Sequence, residues 1–387
     1  MSHIYKIALH QVEIGMFVSE LTPKLQQSGL NARGLISRQE TLNKLRVSGL
    51  QHIYIDVQRG KGSIHALPVP DSDPPLKSTK TLQAERERAA KVYSEARSLV
   101  GSLVGNVKMG KPIEVGPVKQ LAEDISESLH ANHNALLCLS QIREKDLYLL
   151  EHSINVGILM GVFVRYLGYE RAAMQEMITG ALLHDIGKIK VPYHVLNKPG
   201  KLNDSEWELM RKHVELGEEV LNTSAGISDV AKAVCAQHHE KLNGKGYPRG
   251  LSAEQISVSG RLAAIVDIYD ALTADRVYHQ GRSPFEVMRL LSQMAKDGEL
   301  DRELVYEFIR CMSVYPVGTL VEIDTGRLAV VVQSNERQAD KPLLKQFYNL
   351  RFRHYEAPRF VDLAGTDTRI VRVHDPREYG IEISEVI

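Results

Sequence analysis

The chain has no net charge, no paired cysteines and no long apolar run, and each absence removes a class of function. Lysine plus arginine and aspartate plus glutamate both number 48. A protein that grips a nucleic-acid polyanion usually carries a basic footprint, so DNA is not an expected partner. A compact nucleotide needs only a few local cations, so neutrality does not argue against one. The cysteines, Cys138, Cys235 and Cys311, are an odd, scattered set without a CxxC pair. That fits free thiols in a reducing compartment and no disulfide framework. No stretch approaches the roughly 18 uninterrupted apolar residues of a membrane helix. The start, MSHIYKIALHQVEIGMF, lacks the charged n-region and continuous apolar core of a signal peptide. A cytoplasmic protein without a membrane segment is expected.

At 387 residues the chain is long enough for two or three domains. Residues 1–66 read as a small β-rich module: Ile53, Tyr54, Ile55 and Val57 make a strand-like run, and Gly15, Gly29, Gly34 and Gly49 punctuate the segment. Residues 67–80, LPVPDSDPPLKSTK, read as a linker. Residues 81–135 read as a helical connector, with Val92, Ala96, Leu99 and Leu103 on one apolar stripe. It suits either a signal-carrying stalk or a packing layer of the next domain. From 136 to 312 apolar residues recur at three and four, broken by the loops VPYHVLNKPGKL, NGKGYPRG and HQGRSP. Asn203 followed by Glu206 resembles a capping box that opens a helix into Trp207, Met210 and Val214. Residues 313–387 read as a short β extension: TLVEIDTGRLAVVVQSN makes two strands about an Asp-Thr-Gly-Arg turn, and FYNLRFRHY and TRIVRVH are further strands. The expected fold class is mainly α, a helical bundle flanked by two small β-rich segments.

What the chain has in excess is histidine, 15 in all, several of them set in apolar helical patterns. His184 and Asp185 sit side by side in ALLHDIGKI, at the end of an apolar run. Such a pair is costly to bury without a partner, and a divalent ion is a good partner for imidazole and carboxylate. His152 lies in YLLEHSINVGILMGV and His213 in WELMRKHVELGEEV. His238 and His239 follow VAKAVCAQ, and Asp267 and Asp270 interrupt GRLAAIVDIYDALTADR. Taken singly, each reads as well as a hydrogen-bonded core group, and Lys188 as a solvated lysine at a helix end. Taken together, five histidines and two aspartates on successive apolar helices describe a bundle-core metal site. Cys235 reads as a packed thiol, because it lies within an apolar helix and no second cysteine is near.

In chain order, His152, HDIGK (184–188), His213, HHEKLNGKGYP (238–248) and DIYDALTADR (267–276) resemble an HD-GYP domain, a branch of the HD phosphohydrolase superfamily. The resemblance covers roughly residues 140–312, and residues 4–57 resemble a module of unknown function often found ahead of such domains. It implies an HD-type helical bundle that hydrolyses cyclic di-GMP to pGpG or GMP with two divalent ions, iron or manganese, other divalent metals staying open. By the family pattern, His152, His184, Asp185 and Asp267 hold one metal. Asp185 bridges to a second, held by His213, His238 and His239. Lys188 joins Asp185 in catalysis, and Lys188, Tyr247, Asp270 and Arg276 contact substrate. The GYP loop is a contact for diguanylate cyclase (GGDEF) proteins, and a homodimer is compatible with the family. Members with a third metal carry Glu four residues before the first histidine; Tyr148 stands there, which favours two. His279 replaces a usual second basic residue, and Val277 a usual proline.

Two other readings stay open. One is a signalling module that binds the nucleotide with little turnover. The other is an HD hydrolase of another nucleotide, against which the GYP loop argues. Residues 1–135 carry no receiver-type phosphorylation signature and no haem motif, so the input signal is not readable.

Overall fold

In the computed structural model the chain divides into two units, Met1–Lys77 and Ser78–Ile387. The described residues are 4–8, 12–18, 34–46, 52–56, 59–61, 67–68, 79–141, 148–274, 281–335 and 338–387.

In the first unit, alternating apolar residues make strands that bury one face. Its elements are β1 (Ile4–Ala8), β2 (Phe17–Val18), β3 (Gly34–Leu35), α1 (Gln39–Arg46), β4 (His52–Asp56) and β5 (Leu67–Pro68). The strands form one antiparallel sheet in the order β3-β2-β4-β1-β5. Ile7, Val18, Ile53 and Ile55 bury against Leu42 and Leu45 of α1. Leu67 and Pro68, expected to open a linker, instead pair with β1. An edge strand tolerates proline, whose missing N–H leaves no ladder bond broken on the outer side. Val57 and residues 69–78 lie outside the described residues.

The second unit opens with two long helices, α2 (Thr79–Lys108) and α3 (Val115–Leu139). Next come α4 (Tyr148–Tyr166) and α5 (Arg171–Leu183), then a 3-10 turn over Ile186–Lys190. The short α6 (Tyr193–Leu196) leads to α7 (Asp204–Arg211), α8 (His213–Asn222) and α9 (Asp229–Gln237). The helical part ends with α10 (Val258–Thr273), α11 (Pro284–Lys296) and α12 (Arg302–Met312). The Asn203–Glu206 capping box is present and opens α7.

α4 is buried continuously from 151 to 164. A helix apolar on every face must be surrounded, and α2, α3, α5, α10 and α12 pack around it. Phe163 of α4 meets Phe308 of α12 edge to face at 5.1 Å. α2 and α3 contribute to the same core, and α3 runs across the boundary expected at 135. The Tyr93 hydroxyl of α2 donates to Asn155 Oδ1 (3.2 Å), and Arg97 lies 3.8 Å from Glu151, both beside His152 on α4.

The C-terminal segment contains β6 (Leu320–Ile323), β7 (Arg327–Gln333), β8 (Leu343–Asn349), β9 (His354–Asp362) and β10 (Ile370–Val373), ending in α13 (Ile383–Val386). The sheet order is β10-β6-β7-β8-β9. FYNLRFRHY, expected as one strand, is a hairpin. Asn349 Oδ1 accepts from the backbone N–H groups of Arg351 and Phe352 and turns the chain between β8 and β9. Leu328, Val330 and Val332 of β7 join the helical core, while Ala329 and Val331 join a small cluster on the other face. Burial on both faces explains the unbroken apolar run of this strand. The sheet is tied to α3 as well: the Ser334 N–H and hydroxyl both donate to Asn134 Oδ1 at 3.0 Å.

Gly180 marks the closest approach of α5 to α9. A Cβ there would meet Val234 Cβ at 2.8 Å and Ala231 Cα at 2.9 Å. Backbone yields less readily than a side chain, so Gly180→Ala is expected to cost about 1–3 kcal/mol by overpacking. This outweighs the roughly 1 kcal/mol gained in helix propensity. Thermal melting checks it; an unchanged or raised Tm contradicts the tight α5–α9 contact.

Candidate metal centre

The ionisable residues picked out in the sequence come from different helices and meet at one buried point. His152 projects from the second turn of α4. His184 caps the C-terminus of α5, and Asp185 follows it. His213 opens α8, His238 caps the C-terminus of α9 with His239 next, and Asp267 lies on α10. Helix C-termini carry partial negative charge, so the ends of α5 and α9 favour a cation between them.

Three of the histidines are held by the same device. His184 Nδ1 donates to the Ala181 carbonyl, His213 Nδ1 to that of Met210, and His238 Nδ1 to that of Cys235, each at 2.7 Å. These carbonyls lie in the last turn of α5, α7 and α9, where the helix ladder leaves acceptors over. A carbonyl only accepts, so each Nδ1 carries the proton and each Nε2 presents a lone pair. Burial holds His213, His238 and His239 neutral: it pushes His213 down to about 4, His239 down to about 3, and His238 well below the usual range.

Asp185 stands between two sets of imidazoles. Its Oδ2 lies 3.4 Å from both His152 Nε2 and His184 Nε2. Its Oδ1 lies 3.4 Å from His213 Nε2 and 3.8 Å from His238 Nε2. Asp267 also faces both sets, with Oδ1 3.0 Å from His152 Nε2 and Oδ2 3.8 Å from His239 Nδ1. Burial alone would raise both carboxyls. The Lys188 ammonium and nearby imidazoles outweigh it at Asp185, and the surrounding His152, His184 and His239 imidazoles do so at Asp267, so both sit well below the usual carboxylate range.

Two overlapping groups result: His152, His184 and Asp185; and Asp185, His213, His238 and His239. Within each, the donor atoms lie within 4.8 Å of one another. His184 Nε2 and Asp185 Oδ1 are buried without a hydrogen-bond partner among the described residues. Such atoms are costly to leave unsatisfied, and a divalent cation between lone pairs of nitrogen and oxygen satisfies them. The buried cluster is compatible with divalent metal binding.

Small residues allow the convergence. A Cβ at Gly187 would collide with the His213 carbonyl and the Gly217 backbone, so only glycine lets the turn after Asp185 lie on α8. The Cys235 thiol is buried, donates to the His184 carbonyl at 3.3 Å and has its pKa pushed up by burial, as befits a packed thiol. Lys188, part-exposed on the turn, donates to Asp185 Oδ2.

The GYP loop closes one side of the centre. The Tyr247 ring stacks on His239 with centroids 4.6 Å apart. Glu240, which the sequence left without a role, is buried and accepts from the N–H groups of Arg249 (2.8 Å) and Leu251 (2.9 Å), pinning the loop. An acid directly after two histidines on an apolar helix was the available signal. Asp270, expected to contact substrate, is buried behind His152 and accepts from its Nδ1 at 2.7 Å. It faces the imidazole rather than the open side of the centre, three residues and most of a helical turn from Asp267. Arg276 and His279 lie outside the described residues, as does the side chain of Tyr148, whose backbone opens α4.

A carboxylate behind a ligand imidazole fixes its ring and tautomer. Asp270→Ala is therefore expected to weaken metal binding by about 10- to 100-fold, read by titrating stripped protein with Mn(II). Unaltered metal binding with weakened nucleotide binding would return Asp270 to the substrate side. The depressed imidazoles also set a pH dependence. Their stabilising share is full above the ordinary value of 6.5 and is lost as pH falls toward about 4 for His213 and about 3 for His239. Metal-free protein should therefore melt lower at pH 4.5 than at pH 8; a Tm constant over that range contradicts the buried neutral rings.

A family model described as an HD domain matches residues 125–304, and one described as a domain of unknown function (DUF3391) matches residues 4–118. Cyclic di-GMP phosphodiesterase PA4108 of Pseudomonas aeruginosa is 35% identical over 378 residues, covering 95% of this chain and 91% of that protein. The 3'3'-cGAMP-specific phosphodiesterase 2 of Vibrio cholerae is 52% identical over 105 residues, 27% of this chain and 20% of that one. A solved HDG"Y"P protein from Bdellovibrio bacteriovorus is 17% identical with a TM-score of 0.49, covering 79% of this chain and 98% of that one. With its HDIGK, HHE and GYP motifs and a relative matched along nearly the whole of both chains, this chain belongs to the HD-GYP branch of the HD-domain family, with a DUF3391 module at its N-terminus.

Proposed function

We propose that the chain is a metal-dependent phosphodiesterase that hydrolyses cyclic di-GMP to pGpG and/or GMP. The observation that carries this reading is the pair of donor groups joined at Asp185, in a chain matched almost end to end by a relative named for that activity. In our assignment His152, His184, Asp185 and Asp267 hold one divalent ion. Asp185, His213, His238 and His239 hold a second. Nitrogen and oxygen donors without thiolate suit iron or manganese. Tyr148, in place of a glutamate one turn before His152, supports two ions over three.

Divalent ions held there would supply a nucleophilic hydroxide near neutral pH and neutralise the phosphodiester. The chain's own residues do the rest. Three imidazoles are fixed by backbone carbonyls and His152 by Asp270, so the donor set is ordered before substrate arrives. Lys188 reaches the centre from the part-exposed side and aims an ammonium where negative charge builds on the phosphate oxygens. Tyr247, stacked on His239, gives the substrate side a rigid aromatic wall. Arg276 completes the substrate contacts in this assignment.

We place the reaction in the cytoplasm, on the strength of three free cysteines. No helix among the described residues is long and apolar enough to cross a membrane. The exposed stretch 243–245 of the GYP loop supports contact with GGDEF proteins, and a homodimer is compatible with the reading. One observation favours a second substrate: a Vibrio cholerae relative, 52% identical over 105 residues, is named for 3'3'-cGAMP.

Protein loaded with Mn(II) or Fe(II) is expected to release pGpG or GMP from cyclic di-GMP in a panel that includes 3'3'-cGAMP. Lys188→Met should lower kcat by about 100- to 1000-fold with metal content intact. Tight binding of cyclic di-GMP by metal-loaded protein without product would sink the enzyme reading in favour of a signalling module.

A further inference from the structure

Arg211 ends α7, two residues before His213, and is exposed. Its guanidinium carbon lies 5.3 Å from the centroid of the Tyr247 ring. The same ring stacks on His239, a member of the second donor group, and meets His213 edge to face at 6.3 Å. One aromatic ring therefore connects the buried centre to an exposed cation. Contact with a ring face orients a guanidinium without neutralising it.

The charge of Arg211 is also left unspent. Arg249 of the GYP loop, by contrast, is paired with Glu218 at 2.6 Å. Among the described residues Arg211 makes no ion pair. Lys188, the other cation beside the centre, is already engaged with Asp185.

We propose that Arg211 is a substrate-binding residue that takes the non-scissile phosphate of a cyclic dinucleotide; this rests on the phosphodiesterase reading above. Such a substrate carries two phosphodiesters in one ring. The centre and Lys188 meet the negative charge of the one being cleaved. The other keeps its charge and needs a donor outside the metal cluster but within reach of it. A planar guanidinium, held beside Tyr247 and making no ion pair among the described residues, matches a phosphate with two parallel hydrogen bonds. The contact is made equally in ground and transition states, so it contributes to binding and not to the chemical step.

Full-length, metal-loaded protein and its Arg211→Ala, Arg211→Lys and Arg211→Gln variants test this with two substrates. One is cyclic di-GMP. The other is bis(p-nitrophenyl) phosphate, a single diester with no second phosphate. Arg211→Ala should raise KM for cyclic di-GMP about ten-fold or more, the loss of a charge-assisted contact, with kcat nearly unchanged. Its kinetics on the single diester should not move. Lysine should restore most of the affinity and glutamine should not. Equal losses on both substrates would make Arg211 a prop for the GYP loop and overturn the proposal. Rescue by glutamine but not lysine would overturn it too, in favour of stacking on a base. Equilibrium binding of cyclic di-GMP repeats the comparison independently of turnover. If wild-type protein binds without hydrolysing, the enzyme reading fails while a ten-fold loss in Arg211→Ala still supports this contact, and unaltered binding removes it.

Discussion

A neutral imidazole has one N–H to give, and the second unit of this chain depends on where three of them are given. His184, His213 and His238 each donate Nδ1–H to a carbonyl three residues back, in the final turn of α5, α7 and α9. The donation meets an acceptor that the helix end leaves over, fixes the ring, and turns the Nε2 lone pair toward a common point. That a lone pair and not a proton faces the point is a consequence of carbonyl chemistry. Burial, which holds His213 and His238 neutral, works in the same direction. Asp185 then lies between lone pairs on both sides, and its Oδ1 has no hydrogen-bond partner among the described residues.

Much of the surrounding packing can be understood as what it takes to bring those helix ends together. α4 is wrapped on all sides, which lets His152 emerge in the interior with Asp270 behind it. Gly180 lets α5 lie close to α9, and Gly187 lets the turn after Asp185 rest on α8. Their common property is the missing Cβ where backbone meets backbone. At Gly187 the constraint is the contact with the start of α8, where a side chain would meet the His213 carbonyl. The GYP loop is fixed to the same frame by Glu240, whose carboxylate occupies two backbone N–H groups of the loop. Tyr247 is thereby set against His239.

The outer layers are less separate than their composition suggests. α2 and α3 share the core of α4 and α5, and β7 presents one face to that core. The apolar run LAVVV of β7 looked like an ordinary strand of a small appendage. Its two faces bury against different clusters, and alternation vanishes when both sides of a strand are covered. The hairpin inside FYNLRFRHY carries no glycine or proline signal, because its turn is held by Asn349.

Sequence by itself determined the helices of the second unit, the capping box at Asn203, and the candidate donors, because periodicity and ionisable residues on apolar faces are local properties. It also carried the family, through motifs whose order survives any folding of the chain between them. Only the tertiary structure decided that Asp270 turns to His152, that Glu240 holds the loop, and that Arg211 lies by Tyr247. These depend on which faces meet when α4, α5, α7, α9 and α10 pack together. A contact such as His152 with Asp270, 118 residues apart, is set by that packing and leaves no mark on either local pattern.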